Sequence, residues 1–486
     1  MENIEIKPIN SELVNDSFSP MIISTPDFES EMKNFTINDK NHEFPANDLD
    51  AKQTTQNTID ITVSSFDVDI SMQSTNKSNE QTIEDVTMLN SISYDDAAIA
   101  GPSNYSEIGY FCEKHVVELS RCTWRGSTNN QRFLKGCLWS PDGTCILTVV
   151  HGNGMHIFEL PSDLYNVDSI ADDRPLDILQ SAVHIKEGGC VYDYCWYPFM
   201  NSSNPTSCCW LATRQHEPIQ MWDAYHGDLR CSYRGYNAVD EVESALSVLF
   251  SPDGQEVIGG YKKSLKIFRT DVPGRDCYSI PIKSPSSALA CSLVHNILAV
   301  GSWSTTISLF DKRDPFHGEV CQMNDHRGGI TYLRFIEQKN ILLSGARKDN
   351  DLILWDIRNT QVPLGKLFRN VNTNQKIYFD VTGDEKWIIS GDTSGIIHAW
   401  NLNAPTIEDQ TFTVHYDCCN GVSMHPSKPI MATTSGQHHF ELNDISNNNN
   451  NNNNNGFDDS DGIVIRKKPR ENSLIIWWCG KMNSNA

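Results

Sequence analysis

The stretch SGARKDNDLILWDIR (344–358) contains a short apolar run, LILWDI (352–357), that closes on a tryptophan and an aspartate. An apolar strand ending in an aromatic residue recurs as HIFEL (156–160), QMWDA (220–224), KIFRT (266–270), SLFDK (308–312), IHAWNL (397–402) and LIIWWC (474–479). The aligned aromatics are Phe158, Trp222, Phe268, Phe310, Trp355, Trp400 and Trp477, and their separations are 64, 46, 42, 45, 45 and 77 residues. A unit of this length cannot bury its apolar face alone, so units must stack, and a period in the low forties fits four-stranded blades. The spacing predicts an all-β chain, a seven-bladed β-propeller spanning 131–480.

The intervals between the aromatics carry the remaining strands. SPDG at 140–143 and 251–254 is a tight-turn signal, in which Pro fixes φ and Gly takes the unusual dihedrals. VTGD (381–384) and HPSK (425–428) occupy the equivalent place. An apolar strand follows each turn, among them CILTVV (145–150), EVIGGY (256–261), ILLSGA (341–346) and IMATTS (430–435). These are repeats of the Trp-Asp (WD40) type. Of the two long spacings, the first holds ELPSDLYNVDSIADDRPLDIL (159–179), expected to be an outer loop. The second holds an unbroken Asn run, Asn447–Asn455, then FDDSD and the basic RKKPR (466–470). That low-complexity composition predicts a disordered insertion over 442–472 in blade seven.

Only nine residues follow Trp477, too few and too polar for a further strand. An open last blade would expose a hydrogen-bonding edge. SEIGYFCEKHVVELSRCTWRG (106–126) alternates apolar and polar residues. The N-terminal segment 105–130 is therefore expected to complete the seventh blade and close the ring.

Charge is unevenly spread over the 486 residues. Residues 1–100 hold 19 acidic side chains, 5 Lys and no Arg, so 14 of the 23 excess negative charges fall there. All 11 Trp lie beyond them. A segment so polar cannot bury enough apolar surface to offset its ordering entropy, which predicts a disordered acidic tail over 1–104. No basic start with an apolar run marks a signal peptide, and no segment approaches the roughly 18 apolar residues of a membrane span. The reading is a soluble intracellular chain whose 15 Cys are mostly reduced. No CxxC pair occurs, and neither Cys208-Cys209 nor Cys418-Cys419 has partners at zinc spacing, so no metal is expected.

His326, Ser344, Asp349 and Trp355 can be drawn as a hydrolase triad plus an aromatic. The alternative is a buried hydrogen-bond network of the repeat. Asp349 precedes Trp355 by six residues, the indole can only donate, and Ser344 or His326 must accept. No GxSxG elbow, P-loop, HExxH or EF-hand loop is present, so no enzyme and no cofactor are expected. The turns between second and third strands and those entering each inner strand form one rim. They contain Arg214, His216, Lys262, Lys263, Trp303, Arg327, Arg347 and Lys348. Cations beside aromatics suit phosphates and stacked bases. The same residues also suit an ordinary solvated surface, and a domain of net negative charge is a poor non-specific nucleic-acid binder. RKKPR reads either as a nuclear-import signal or as a solvated charge run.

Eight strings are more particular than the generic repeat: FLKGCLWSPDG (133–143), VYDYCWYPFM (191–200), PIQMWDAYHGDLRCSYRGYN (218–237), GGITYLRF (328–335), SGARKDNDLILWDIR (344–358), TNQKIYFD (373–380), CCNGVSMHPSKPIMATTSGQ (418–437) and LIIWWCG (474–480). Through them the chain resembles the telomerase Cajal body proteins over about 130–480. The resemblance implies a non-enzymatic scaffold that binds box H/ACA small Cajal body RNA and, in animals, telomerase RNA. It implies delivery of those particles to Cajal bodies and telomeres, with a scaffold role in double-strand-break repair. Implied partners are H/ACA core proteins such as dyskerin, the telomerase catalytic subunit and the cytosolic chaperonin. The implied setting is a monomer within a particle, in the nucleus and its Cajal bodies and also in the cytoplasm. Within the matching strings, Arg347, Lys348, Asn374, Lys376 and Tyr378 become candidates for RNA or partner contact, and Tyr378 and Phe379 also suit simple strand packing. The competing reading is a protein-only interaction scaffold without RNA binding, such as a ubiquitin-ligase adaptor or a chromatin or DNA-repair platform.

Overall fold

A computed structural model describes residues 109–111, 115–127, 130–171, 174–186, 188–292, 294–404, 409–439 and 470–482. The tail expected over 1–104 and most of the expected insertion lie outside them. The chain forms seven sheets arranged as the blades of a propeller. The innermost strands of blades one to seven are Leu134–Trp139, Val191–Trp196, Ser247–Phe250, Ser286–Ser292, Ile330–Ile336, Phe379–Val381 and Cys419–Met424. In blade five the order outward continues with Ile341–Ala346, Asp351–Asp356 and Gly365–Phe368, all antiparallel.

The second strand of blade five is buried at every position, and the third at its four central ones. Blades stack face to face, so these strands have no solvent side, and their sequences are continuous apolar runs rather than alternating ones. The turns that precede them need glycine. Gly143 has φ 74° and donates to the Ser140 carbonyl at 2.9 Å, and Gly254 has φ 68° and donates to Ser251 at 2.8 Å. A Cβ on Gly143 would also lie 2.3 Å from His425 Nε2, which bonds the Gly143 carbonyl and joins blades one and seven.

In blade seven, Cys419–Met424 is followed outward by Ile430–Ser435 and Ser473–Trp478, and the fourth strand is Val117–Thr123. Val117 pairs with Trp478 and Thr123 with Ser473. Upstream, the Phe111 N–H donates to the Cys479 carbonyl at 2.8 Å, and its ring lies 5.6 Å from Phe412 and 5.4 Å from Trp387 of blade six. The long excursion within blade one does more than loop outward. Asp177–Ile178 adds a parallel fifth strand to blade seven, beside Ser120 and Arg121, and Leu164, Ile170 and Leu179 are buried beneath it. At the C-terminal end of the expected insertion, two residues within the expected bounds belong to the described blade. Glu471 and Asn472 are held in place, Glu471 by His415 and the Tyr416 N–H, Asn472 by a backbone bond from Trp124.

Inner-strand carboxylates tie the blades together around the central channel. Asp193 of blade two accepts from the Val248 N–H of blade three at 3.0 Å and from Lys376 Nζ, which precedes blade six, at 2.8 Å. Asp380 of blade six accepts from the Met424 N–H of blade seven at 2.7 Å and pairs with Arg334 of blade five. Tyr194, Tyr332 and Tyr378 fill the space between, with Tyr332 and Tyr378 4.8 Å apart. A Cβ on Gly136 would meet the Tyr378 ring at 2.2 Å, so blade one gives up a side chain to admit it.

Candidate functional site

Blade five carries a buried quartet directly beneath the rim. The Trp355 indole donates to Ser344 Oγ at 2.8 Å. Ser344 Oγ lies 2.7 Å from His326 Nε2, and His326 Nδ1 lies 2.8 Å from Asp349 Oδ2. Asp349 also accepts from the Arg327 and Asp351 N–H groups. The serine sits beneath an indole donor instead of facing a cleft, so the geometry is that of a structural brace. Burial alone would raise the Asp349 carboxyl, but the His326 bond and the two backbone donors outweigh it and hold the group down at about 2.

The brace fixes the start of the rim turn Arg347–Lys348. The Arg347 N–H bonds the Gly329 carbonyl and the Lys348 N–H bonds the Thr373 carbonyl, each at 3.0 Å. Two glycines let three turns converge here. A Cβ on Gly328 would lie 1.9 Å from the Arg347 carbonyl oxygen, and one on Gly329 would lie 2.7 Å from that of Trp303 and 3.1 Å from Arg347 Nε. Trp303 of blade four, Arg327 and Arg347–Lys348 of blade five, and the Thr373–Asn374 turn entering blade six therefore share one sector. Arg327 and Lys348 are exposed, while Trp303, Arg347 and Asn374 are half-buried. Burial lowers the Arg347 pKa. Lys262 and Lys263 are exposed one blade further on, and the Lys263 backbone carbonyl accepts from the Ile282 N–H.

Two rim candidates do not belong to this surface. Arg214 is 5 % exposed, its guanidinium lying 4.6 Å from the Trp222 ring centroid, because strand burial continues to the end of Cys209–Arg214. Lys376 turns into the channel mouth, where it pairs with Asp193 and lies 5.1 Å from the Tyr378 ring and 5.5 Å from that of Tyr332. His216 is exposed on the blade-two turn, apart from the cluster.

The structure also holds groups that the spacing of the repeats conceals. Blade seven repeats the brace with Thr for Ser and Glu for Asp. The Trp477 indole donates to Thr433 Oγ1 at 2.8 Å, His415 Nε2 lies 2.8 Å from the same oxygen, and His415 Nδ1 lies 2.9 Å from Glu471. The signal was there: His415 precedes Thr433 by 18 residues, as His326 precedes Ser344, and Glu471 precedes Trp477 by six. The insertion hides it by separating Thr433 from Glu471. Burial raises the Glu471 carboxyl, but His415, Ser473 and the Tyr416 N–H bring it down to about 2. In blade six the fully buried Arg369 bonds Ser390, and burial lowers its pKa to about 10. Gly345 leaves it room, since a Cβ there would lie 2.7 Å from Arg369 Nη2.

Asp349 and Glu471 both have folded pKa values below their unfolded ones, near 4. Their contribution to stability is present above about pH 4 and is lost as the pH falls toward 2. The melting temperature should fall over that window. In Asp349→Asn the fall should be shallower, and scanning calorimetry from pH 5 to 2 checks it. An identical slope in the variant would remove Asp349 from the acid response.

A ring of seven such blades, with aromatic ends to the third strands and indole-to-hydroxyl braces in blades five and seven, defines a WD40 β-propeller, a class of scaffold proteins. The chain belongs to the telomerase Cajal body protein 1 family. It is 46 % identical over 376 residues to the Telomerase Cajal body protein 1 homolog of Drosophila melanogaster, covering 75 % of this chain and 69 % of the relative. It is 38 % identical over 327 residues to Telomerase Cajal body protein 1 of Mus musculus, where it spans only 60 % of that protein's length. A more distant likeness, 26 % over 322 residues, is to Guanine nucleotide-binding protein negative regulator 1 of Schizosaccharomyces pombe. No family model matches the chain.

Proposed function

We propose that this protein is a non-enzymatic scaffold that binds H/ACA-type small Cajal body RNA, and telomerase RNA where that RNA carries the same hairpin element. The observation that carries the reading is the convergence of Arg327, Arg347 and Lys348 with Trp303 on one rim sector of a chain whose formal net charge is −23. The relatives' names place them with telomerase and the Cajal body, which supports the same direction. In an acidic chain, phosphate attraction has to be local, and an adjoining indole adds a stacking surface for an unpaired base. The scaffold would act in the nucleus, within a particle containing H/ACA core proteins such as dyskerin and the telomerase catalytic subunit. A cytoplasmic stage of chaperonin-assisted folding precedes this, and a role in break repair is part of the same scaffold reading.

The test is hairpin binding to the full chain. Replacing Arg327 and Lys348 together by Glu should weaken an H/ACA hairpin at least tenfold in a gel-shift titration, with the melting temperature moved by less than about 1 °C, since both side chains are exposed. The salt dependence should become shallower by about two contacts. Unchanged affinity in a folded double variant would favour the protein-only scaffold.

A further inference from the structure

The outer flank of blades three to five combines unpaired strand edges with exposed apolar side chains. In blade seven the outer edge is covered by Asp177–Ile178, in blade six Phe412 is covered by Phe111, and in blade two Tyr233 bridges to Gly274. The outermost strands of blades three, four and five are Cys277–Pro281, Glu319–Asn324 and Gly365–Phe368. Among the described residues no strand pairs with their outer edges.

Two rows of side chains run along this flank. Tyr278 and Val320, each the second residue of its strand, are 62 % and 67 % exposed, and Phe316, Val362 and Leu364 in the preceding turns are each about as open. Contacts link the apolar row from blade to blade. The Tyr278 and Phe316 rings are 6.0 Å apart, and Cys321 Sγ is 2.7 Å from Thr360 Oγ1. Beside them Arg269, Arg313 and Arg358 recur at the end of the third strand in three successive blades. Each forms a fork with an aspartate two residues away, Asp271, Asp311 and Asp356, while remaining 66 %, 72 % and 69 % exposed. The fork uses Nε and one terminal nitrogen and leaves further N–H donors facing outward.

We infer that this flank is a second docking surface, for an extended protein segment in which apolar or aromatic residues alternate with carboxylates. The chemistry follows from complementarity. An added strand pairs with the free edge, its apolar side chains cover one row, and its carboxylates meet the guanidinium row. The chain's own Asp177–Ile178, paired parallel with the outer strand of blade seven, shows the fold accepting a short extended segment at such an edge. The site is apart from the rim sector, so its partner and the RNA are not in competition.

The experiment is fluorescence anisotropy on the full chain with a labelled synthetic decapeptide of alternating Asp and Phe/Leu residues, against a control with Lys in place of Asp. The acidic peptide should bind at least tenfold tighter. Phe316→Ser with Val320→Ser, and separately Arg313→Glu with Arg358→Glu, should each weaken it at least tenfold without changing hairpin binding at the rim. Circular dichroism melting keeps the variants interpretable, and the arginine pair, being exposed, should fold. Equal binding of the two peptides, or binding indifferent to the arginine pair, would overturn the proposal. So would self-association in sedimentation that the Phe316/Val320 variant abolishes, because the flank would then serve a second copy.

Discussion

Replacing Trp355 by Ala should cost about 3–5 kcal/mol of stability. For a domain whose total stability is about 5–15 kcal/mol, that is about a fifth or more of the whole. Two effects combine. The indole is 1 % exposed and packs with Leu333, Leu342 and Ile353, so truncation leaves a cavity between blades four and five. The loss also removes the donor to Ser344 Oγ and loosens the His326–Asp349 pair above it. Trp355→Phe separates the two, because it keeps most of the volume and removes only the N–H. Its cost should be about 1–2 kcal/mol, and it should be non-additive with Ser344→Ala in a double-mutant cycle followed by urea denaturation. Additive losses would show that the quartet is four separate packing residues and not one brace. Since the brace anchors Arg347–Lys348, the Ala variant should also lose hairpin affinity in proportion to the unfolded fraction.

The second large effect is expected from removing residues 109–123. This deletes the fourth strand of blade seven, exposes the edge of Ser473–Trp478 and uncovers Trp387 and Phe412. It also takes away the strand on which Asp177–Ile178 pairs. A propeller is closed by the meeting of its two chain ends, so the loss is not confined to one blade. The deletion should abolish a single cooperative melting transition and open blade seven to limited proteolysis near Met424 and Ile430. A deleted chain that melts in one step at the parent temperature, with unchanged protease resistance, would mean that the ring holds without this strand. Phe111→Ala offers a milder version, with an expected loss of a few kcal/mol at most.

The blade count was legible because the aromatic strand ends sit where a third strand must stop, and because doubly buried strands announce themselves as unbroken apolar runs such as ILLSGA (341–346). The blade-five quartet was visible for a similar reason: its spacing lies within one uninterrupted repeat. Its blade-seven counterpart was obscured by the residues between Thr433 and Glu471 and by the Thr and Glu replacements, which leave hydrogen-bonding capacity unchanged while altering the letters. The rim was legible as a set of turns but not as a surface. Nothing in the local sequence says that Arg214 folds back over Trp222, or that Lys376 crosses the channel to a carboxylate 183 residues earlier. Those facts depend on which blades face each other once the ring has closed. Arg369 is hidden in the sequence because a cation in a polar turn reads as solvated, and the space left by Gly345 admits it to the interior.

The central claim, that the rim sector around Trp303, Arg327 and Lys348 holds H/ACA-type RNA, is tested most directly by crosslinking the tagged full-length protein to RNA in cells and sequencing what is recovered. Enrichment of H/ACA hairpin loops that disappears in the Arg327→Glu, Lys348→Glu protein is the predicted result. A background-level RNA profile from the folded parent protein, with protein partners still recovered, would contradict it.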